Sequence, residues 1–286
     1  MGHHVAHPAP IAPVAPVVAP VAPVECLQRS DPVLIRYFHE IPDARLAIFA
    51  FYALLVASVA ALIVTLLTQQ WYLLLVPLTG FLIAAGYAYR ASMIANPRLF
   101  AFAAMQMLLI VPPLLLAAAN YTCLGKALLM NGNSKKSLVR WLPAFFIVFD
   151  VVCLFIQIFG VTYLTKADPT KISTGLNLIL AGLALALVVN AVFVGALLYT
   201  HKFTNASSDI WIYLYVTTAC LLVRNTYRFV EFIQSKSAKG TGNAGYLASH
   251  ELYLYLFDFA MIFVCLIVFL VRPPRPGGLA SLRTRT

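Results

Sequence analysis

Charged side chains are scarce in this sequence. Lys, Arg, Asp and Glu together make up only 10% of its 286 residues, whereas soluble domains average about 25%. Hydrophobic residues supply 62% of the chain, and the mean hydropathy is +0.86. A soluble protein of this composition would expose large apolar patches and aggregate. The scarcity of charge therefore excludes an ordinary soluble fold and indicates a protein that is solvated by lipid.

Sequence motifs for catalysis or metal binding are also lacking. No GxSxG, P-loop or GxGxxG fingerprint occurs. Of the six histidines, His3, His4 and His7 lie close to the N-terminus, and the remaining three, His39, His201 and His250, show no HxxxH or HExxH spacing on a helix. An intramembrane zinc hydrolase would need several convergent His and Asp ligands. We therefore expect no catalytic residue, no metal and no cofactor, and we predict that the protein is not an enzyme.

The five cysteines show no CxxC spacing, and all but the first lie inside apolar runs: Cys26, Cys123, Cys153, Cys220 and Cys265. This placement is typical of small packing residues rather than of a disulfide framework. Basic residues outnumber acidic ones, and the net charge is +10. The basic residues stand at the ends of apolar runs and in the C-terminal tail. This arrangement predicts contact with anionic lipid headgroups and no nucleic-acid binding.

Long apolar runs dominate the rest of the chain. Each reaches the approximately 20 residues that a helix needs to cross the bilayer core. The seven runs are Arg45–Thr68, Trp71–Ser92, Leu99–Leu129, Trp141–Leu164, Gly175–Thr200, Ile210–Phe232 and His250–Val271. They predict an all-α polytopic membrane protein of seven transmembrane helices. Pro112 and Pro113 lie inside the third run, so we expect a kink there.

The transmembrane domain is predicted to occupy residues 45–272. A Pro/Ala/Val-rich stretch at 1–24 is too rich in proline to form a helix, and we expect a disordered tail. Residues 25–44 form an extramembrane segment, and 273–286 a basic cytoplasmic tail. The two sides of the membrane would carry equal numbers of Lys and Arg. Dense basic clusters before the fourth run and in the C-terminal tail favour an N-terminus outside.

Ionisable residues inside the apolar runs are the candidate functional residues, because they are costly in lipid and need partners. Asp150 lies in the middle of the fourth run. Arg224, Arg228 and Glu231 are spaced i, i+4 and i+7, which places them on one stripe of the sixth helix. The seventh run begins with His250 and Glu251 and contains Asp258 seven residues later, on the same stripe as Glu251.

The sixth and seventh runs are consecutive and antiparallel. Counted from their shared loop at 1.5 Å per residue, Arg228, Asp258 and Arg224 lie at depths of roughly 8 to 14 Å. The two arginines are therefore predicted to meet Asp258. Such a cluster can hold the two helices together by ion pairs, or it can bind a headgroup and couple a conformational change. The spacing leaves both interpretations open.

Two stretches of this sequence, 224–232 and 245–258, resemble the fungal lipid-translocating exporter family, which is also called RTA-like. Its members read R-x-x-[FY]-R-x-x-E at the end of the sixth helix and S-H-E…[YF]-x-[FL]-D at the start of the seventh. Residues 86–90, Gly-Tyr-Ala-Tyr-Arg, are similar to the family's G-Y-x-x-R and bring Arg90 into the candidate set. Asp150 begins a stretch that resembles its D-V-x-[SA]-x-x-x-Q motif.

The family usually has a glutamate before G-Y where this sequence has Ile83, and a fifth-helix glutamine where it has Ala186. The resemblance implies seven helices, an outside N-terminus and a plasma-membrane or endomembrane location. It also implies translocation of sphingoid bases or resistance to toxic sterol-like amphiphiles, and one branch is linked to porphyrin uptake. Whether such proteins move the lipid themselves or regulate its movement is left open by the resemblance.

The leading hypothesis is a plasma-membrane translocator or exporter of lipids or lipid-like amphiphiles, which would be its partners. A long-chain amine would be held by Glu231, Glu251 and Asp258, with Arg224 and Arg228 as counter-charges. A seven-helix sensor of membrane lipid asymmetry is the second hypothesis, and an intramembrane lipid hydrolase is the third. The sequence identifies no protein partner. The candidate substrate-binding or coupling residues are Arg224, Arg228, Glu231, His250, Glu251, Asp258, Asp150 and Arg90.

Overall fold

The computed structural model describes residues 43–95, 99–130, 136–164, 169–203, 208–241 and 251–274. The proline-rich tail at 1–24, nearly all of the segment at 25–44 and all but the first two residues of the tail at 273–286 lie outside them. The predictions for these three segments are therefore not addressed by the structure, and the orientation in the membrane stays a prediction.

The described residues are almost entirely helical and contain no strand. The all-α polytopic fold class is confirmed. The helices are α1 (Ala44–Thr68), α2 (Leu75–Ala95), α3 (Leu99–Ile110), α4 (Pro112–Met130), α5 (Lys136–Leu164), α6 (Pro169–His201), α7 (Ser208–Thr241), α8 (Glu251–Leu254) and α9 (Ala260–Val271). A 3₁₀ turn, Trp71–Leu74, precedes α2, and a π-helical turn, Tyr255–Phe259, joins α8 to α9.

Six helical stretches among the described residues are long and apolar enough to cross a membrane: Ala44–Thr68, Trp71–Met93, Phe100–Leu129, Trp141–Leu164, Thr170–His201 and Leu252–Val271. The seventh segment is α7, which has 34 residues. It exceeds the length needed to span the bilayer. It is less apolar than the others because it carries Arg224, Arg228 and Glu231. The structure thus has the seven long helical segments that the sequence predicts.

The third segment is broken where the two prolines predict a kink. Helix α3 ends at Ile110, and α4 begins at Pro112. Val111 lies between them, and its amide still donates to Met107 O at 3.0 Å. Proline has no amide hydrogen to donate, so the i→i−4 ladder is interrupted at this point.

Helix boundaries differ most from the apolar runs at the end of α7 and at the start of α6. Helix α7 continues to Thr241, through the first half of the interruption that was predicted to separate the sixth and seventh helices. Helix α6 begins at Pro169, six residues before its predicted start. Apolar runs mark only the part of a helix that lies in the hydrocarbon region, whereas helices continue into the headgroup layer whenever their residues allow it.

Helices that follow each other in sequence form the most extensive interfaces, α1 with α2 and α5 with α6. Helix α9 packs against both α7 and α1, which brings the last segment back to the first. Large hydrophobic side chains remain exposed around the bundle, among them Phe49, Leu67 and Phe100. An outward apolar surface of this kind is suited to contact with lipid chains.

The α5–α6 interface is unusually close. A Cβ atom added to Gly160 would lie 2.6 Å from the Ile179 side chain and 3.0 Å from the carbonyl oxygen of Gly175. One added to Gly182 would lie 2.8 Å from Gln157 Cγ. Small residues let two helix backbones approach in this way in membrane proteins. The glycines therefore set the short distance at which α5 packs against α6.

Candidate functional site

A charged cluster lies in the interior of the bundle, and it is formed by Arg224, Arg228, Glu231 and Asp258 with the phenol of Tyr87. Asp258 is 0% exposed, and the two arginines are each 2% exposed. Arg224 Nε lies 2.8 Å from Asp258 Oδ1, and Arg228 NH2 lies 2.9 Å from Asp258 Oδ2. The predicted meeting of the two arginines with Asp258 is thus confirmed.

Helix α7 presents both arginines to the same carboxylate because they are four residues apart. Arg228 Nε also donates to Asp258 Oδ1 at 3.0 Å. Asp258 itself lies in the π-helical turn Tyr255–Phe259. A π turn inserts an extra residue into a helix and is frequent at functional sites.

Two residues outside the predicted set also contact the cluster. Tyr87 on α2 donates to Asp258 Oδ2 at 3.3 Å. Arg224 NH2 donates to the backbone carbonyl of Leu109 on α3. That carbonyl would accept from residue 113 in a regular helix, but Pro113 has no amide hydrogen. The proline that breaks the third segment therefore leaves an acceptor available to a buried arginine.

Glu231 and Arg90 form the more accessible edge of the cluster. Glu231 Oε2 accepts from Arg228 NH1 at 3.1 Å, and the Glu231 side chain is 20% exposed. Arg90 lies one helical turn beyond Tyr87 on α2, is 8% exposed and interacts electrostatically with Glu231. The cluster therefore joins α2, α3, α7 and the last segment, with Glu231 as its least enclosed carboxylate.

Asp150 does not belong to the charged cluster. It lies on α5, is 6% exposed and faces Tyr121 of α4. His250 lies outside the described residues, and of Glu251 only its place at the start of α8 is described. Whether these two residues approach the cluster stays a prediction. Among the residues that the structure describes, no three His, Cys, Asp or Glu side chains are grouped in a way that could hold a metal ion.

Sequence comparison places this bundle in a family. A family model described as "RTA1 like protein" matches residues 76–277. The chain belongs to the RTA1-like family. The match begins in α2 and includes every residue of the charged cluster, so the arginines, both carboxylates and Tyr87 are parts of the family's region of the chain. It is an integral membrane protein family, in agreement with the helices described above.

The chain is also similar to curated yeast proteins. Protoporphyrin uptake protein 1 of Saccharomyces cerevisiae is 33% identical over 202 residues, which are 66% of this chain and 64% of that protein. Protein RTA1 of the same organism is 29% identical over 208 residues, which are 68% of this chain and 63% of that protein. The matched region thus spans less than two thirds of the length of these relatives. No solved structure matches the chain.

Proposed function

We propose that the protein translocates lipid-like amphiphiles across the plasma membrane and acts without covalent chemistry. The observation that carries this proposal is the charged cluster, which is buried among four segments of an otherwise apolar bundle. Ionisable residues at such a depth are costly and mark substrate or ion pathways. The membership in the RTA1-like family and the similarity to a protein named for protoporphyrin uptake support movement of an amphiphile.

The partners of Asp258 limit how a headgroup can enter. Two arginines and Tyr87 already occupy its oxygens, and its side chain is fully enclosed. Glu231 has Arg228 as an ion-pair partner but keeps 20% of its side chain exposed. A cationic headgroup, such as the amine of a sphingoid base, would therefore first compete with Arg228 for Glu231. Arg228 would then be held by Asp258 alone, which loosens the charged cluster.

This site is tested by efflux of a fluorescent sphingoid base from cells that lack the protein and cells that express it. We expect the wild type to accelerate efflux and Glu231→Gln to reduce that acceleration by at least about tenfold, the effect of losing one charge-assisted contact. Asp209→Asn is the matched control, because it also changes a carboxylate of α7 to an amide. Asp209 is 58% exposed and pairs with Arg272 at 3.2 Å, far along α7 from the cluster.

Surface expression of each variant is measured in the same cells, so that loss of protein is not mistaken for loss of transport. Equal efflux with and without the protein would exclude direct translocation of this amphiphile. If the protein then still protected cells against the toxic base, a sensor of lipid asymmetry would replace the translocator. Accumulation of protoporphyrin in the same strains distinguishes a carboxylate-bearing amphiphile from an amine.

A further inference from the structure

A second buried polar site lies away from the charged cluster, around Asp150. Asp150, Cys153 and Gln157 form one stripe of α5, at i, i+3 and i+7, and are 6%, 0% and 2% exposed. Each of them faces other helices rather than lipid. This stripe adjoins the glycine-mediated contact with α6, where Gly182 meets the side chain of Gln157.

Asp150 lacks the partners that Asp258 has. The Tyr121 phenol faces Asp150 at hydrogen-bonding range. Among the described residues, however, neither Asp150 Oδ2 nor Tyr121 Oη makes a well-aligned hydrogen bond, and Gln157 Oε1 has no hydrogen-bond partner. These atoms are enclosed and unsatisfied, which is rare for polar groups in a folded protein. Such groups need a hydrogen-bonding water, an ion or a bound proton to offset the cost of their burial.

No described cation neutralises Asp150. Helix α5 contacts α6 on either side of Asp150, through Phe146 with Phe193 and through Gln157 with Gly182. These two contacts place Val189 and Asn190 of α6 at the level of Asp150. Helix α3 contains no titratable side chain at all. The titratable groups that face Asp150 are Tyr121 from α4 and Cys153 from its own helix. None of these is basic, so an ionised Asp150 would be a buried charge without a counter-charge.

A row of polar side chains leads from this site towards the charged cluster. Tyr121 is followed back along α4 by Asn120, whose Oδ1 accepts from Thr217 of α7 at 3.1 Å. Asn120 Nδ2 and Thr218 Oγ1 are also buried without a hydrogen-bond partner among the described residues. Thr217 and Arg224 are seven residues apart on α7, which is about 10 Å along the helix and on the same stripe.

We propose that Asp150 is a proton-binding site, and that its proton couples amphiphile transport to the transmembrane proton gradient. While the charged cluster is closed, Asp150 holds this proton as a neutral carboxylic acid. When α7 shifts as the charged cluster opens, the polar row admits water to Asp150, and its O–H bond breaks to leave the carboxylate and a hydrated proton. Reprotonation from the other side of the membrane restores the neutral acid. The coupling rests on the proposed translocation, whereas the proton-binding site does not.

A proton suits these groups better than a metal ion does. The site offers few oxygen ligands, namely one carboxylate, one phenol and the amides of Gln157 and Asn190. A hard cation takes six or more oxygen ligands. A carboxylic acid needs only an acceptor for its O–H, and burial favours its neutral form.

The site is tested on purified full-length protein by infrared difference spectroscopy between neutral and alkaline pH. We expect a protonated-carboxyl C=O band at neutral pH in the wild type and in Asp209→Asn. The band should be absent from Asp150→Asn. A band of equal amplitude in Asp150→Asn would overturn the assignment. A sodium-dependent change of that band at constant pH would replace the proton with a metal cation. Neither result depends on transport.

The coupling is tested in proteoliposomes with a fluorescent sphingoid base and an imposed pH gradient. For one coupled proton, the accumulation ratio of the wild type should rise about tenfold for each pH unit. In Asp150→Asn the ratio should be independent of the gradient. Equal dependence in both proteins would overturn the coupling and leave the translocator in place. If the wild type moves no base at all, the coupling falls together with the proposed function, and the infrared result still decides the proton-binding site.

Discussion

Asp258 and Asp150 are two aspartates of almost equal burial with opposite surroundings. Asp258 is 0% exposed and Asp150 is 6% exposed. Two arginines and a phenol contact Asp258, whereas Asp150 faces the Tyr121 phenol and no cation among the described residues. A buried carboxylate with two guanidinium partners is held in its charged form, while one without a cation is driven towards neutrality. The same residue type therefore forms ion pairs in the charged cluster and is the neutral acid of the proposed proton-binding site in the other region.

The largest effect is expected from removing the charge of Asp258. Asp258→Asn keeps the size of the side chain but leaves Arg224 and Arg228 buried with no carboxylate between them. Breaking a buried ion pair in this way costs about 3–5 kcal/mol. We expect a loss of that size in the free energy of unfolding, measured by denaturant titration in detergent micelles.

Asp209→Asn is the control for this measurement, because it breaks an exposed pair, whose contribution is small. Unchanged stability of Asp258→Asn would mean that the two guanidinium groups find other acceptors. The charged cluster would then not be what joins α7 to the π-helical turn.

Of the two aspartates, only Asp258 had surroundings that could be predicted in part from the sequence. Spacing placed Arg224, Arg228 and Glu231 on one stripe, and counting from the loop placed Asp258 at their depth, so these ion pairs could be predicted. No spacing pointed to the carbonyl of Leu109 or to the phenol of Tyr87, although Tyr87 lies in the Gly-Tyr-Ala-Tyr-Arg stretch that resembles the family. Their contributions depend on how α2 and α3 lie beside α7, which spacing within a single helix does not determine. Tyr121 was missed for the same reason.

The fold itself was predictable to a greater extent, since apolar length alone identifies spanning helices. The break at Val111 followed from the prolines. The extension of α7 to Thr241 did not follow, because Lys236 and Lys239 end the apolar run without opposing a helix. The π-helical turn at Tyr255–Phe259 also left no signal, since no glycine or proline accompanies it.

A second prediction concerns the packing of α5, the helix that carries Asp150, against α6. Gly160→Ala places a methyl group within 2.6 Å of the Ile179 side chain and 3.0 Å of the Gly175 backbone. Overpacking of this kind costs about 1–3 kcal/mol, and we expect that loss in the same unfolding measurement. Gly195→Ala on α6 is the matched control, because no atom lies within 4 Å of its added Cβ. Equal stability of the two variants would show that the α5–α6 contact is looser than described.

A third prediction separates the hydrogen bond of Tyr87 from the ion pairs of Asp258. Tyr87→Phe removes one donor at 3.3 Å and leaves both arginines in place. A single hydrogen bond contributes about 0.5–1.5 kcal/mol, so the loss of stability should be well below that of Asp258→Asn. A loss as large as that of Asp258→Asn would indicate that Tyr87 orients the carboxylate for both arginines, and the double variant would then show strong coupling.

The smallest effect on stability is expected at Asp150. Asp150→Asn exchanges a neutral acid for a neutral amide of the same shape, and no ion pair is broken. At about pH 4, where aspartate is largely protonated in the unfolded chain as well, the free energy of unfolding should therefore stay within about 1 kcal/mol of the wild type, although Asp258→Asn, the same substitution in the other region, costs several times more. The comparison is made between about pH 4 and neutral pH. Raising the pH should destabilise the wild type more than Asp150→Asn, because the acid loses its proton on unfolding more readily than when it is buried. A strong loss of stability in Asp150→Asn at neutral pH would instead show that Asp150 is ionised and has a cation partner.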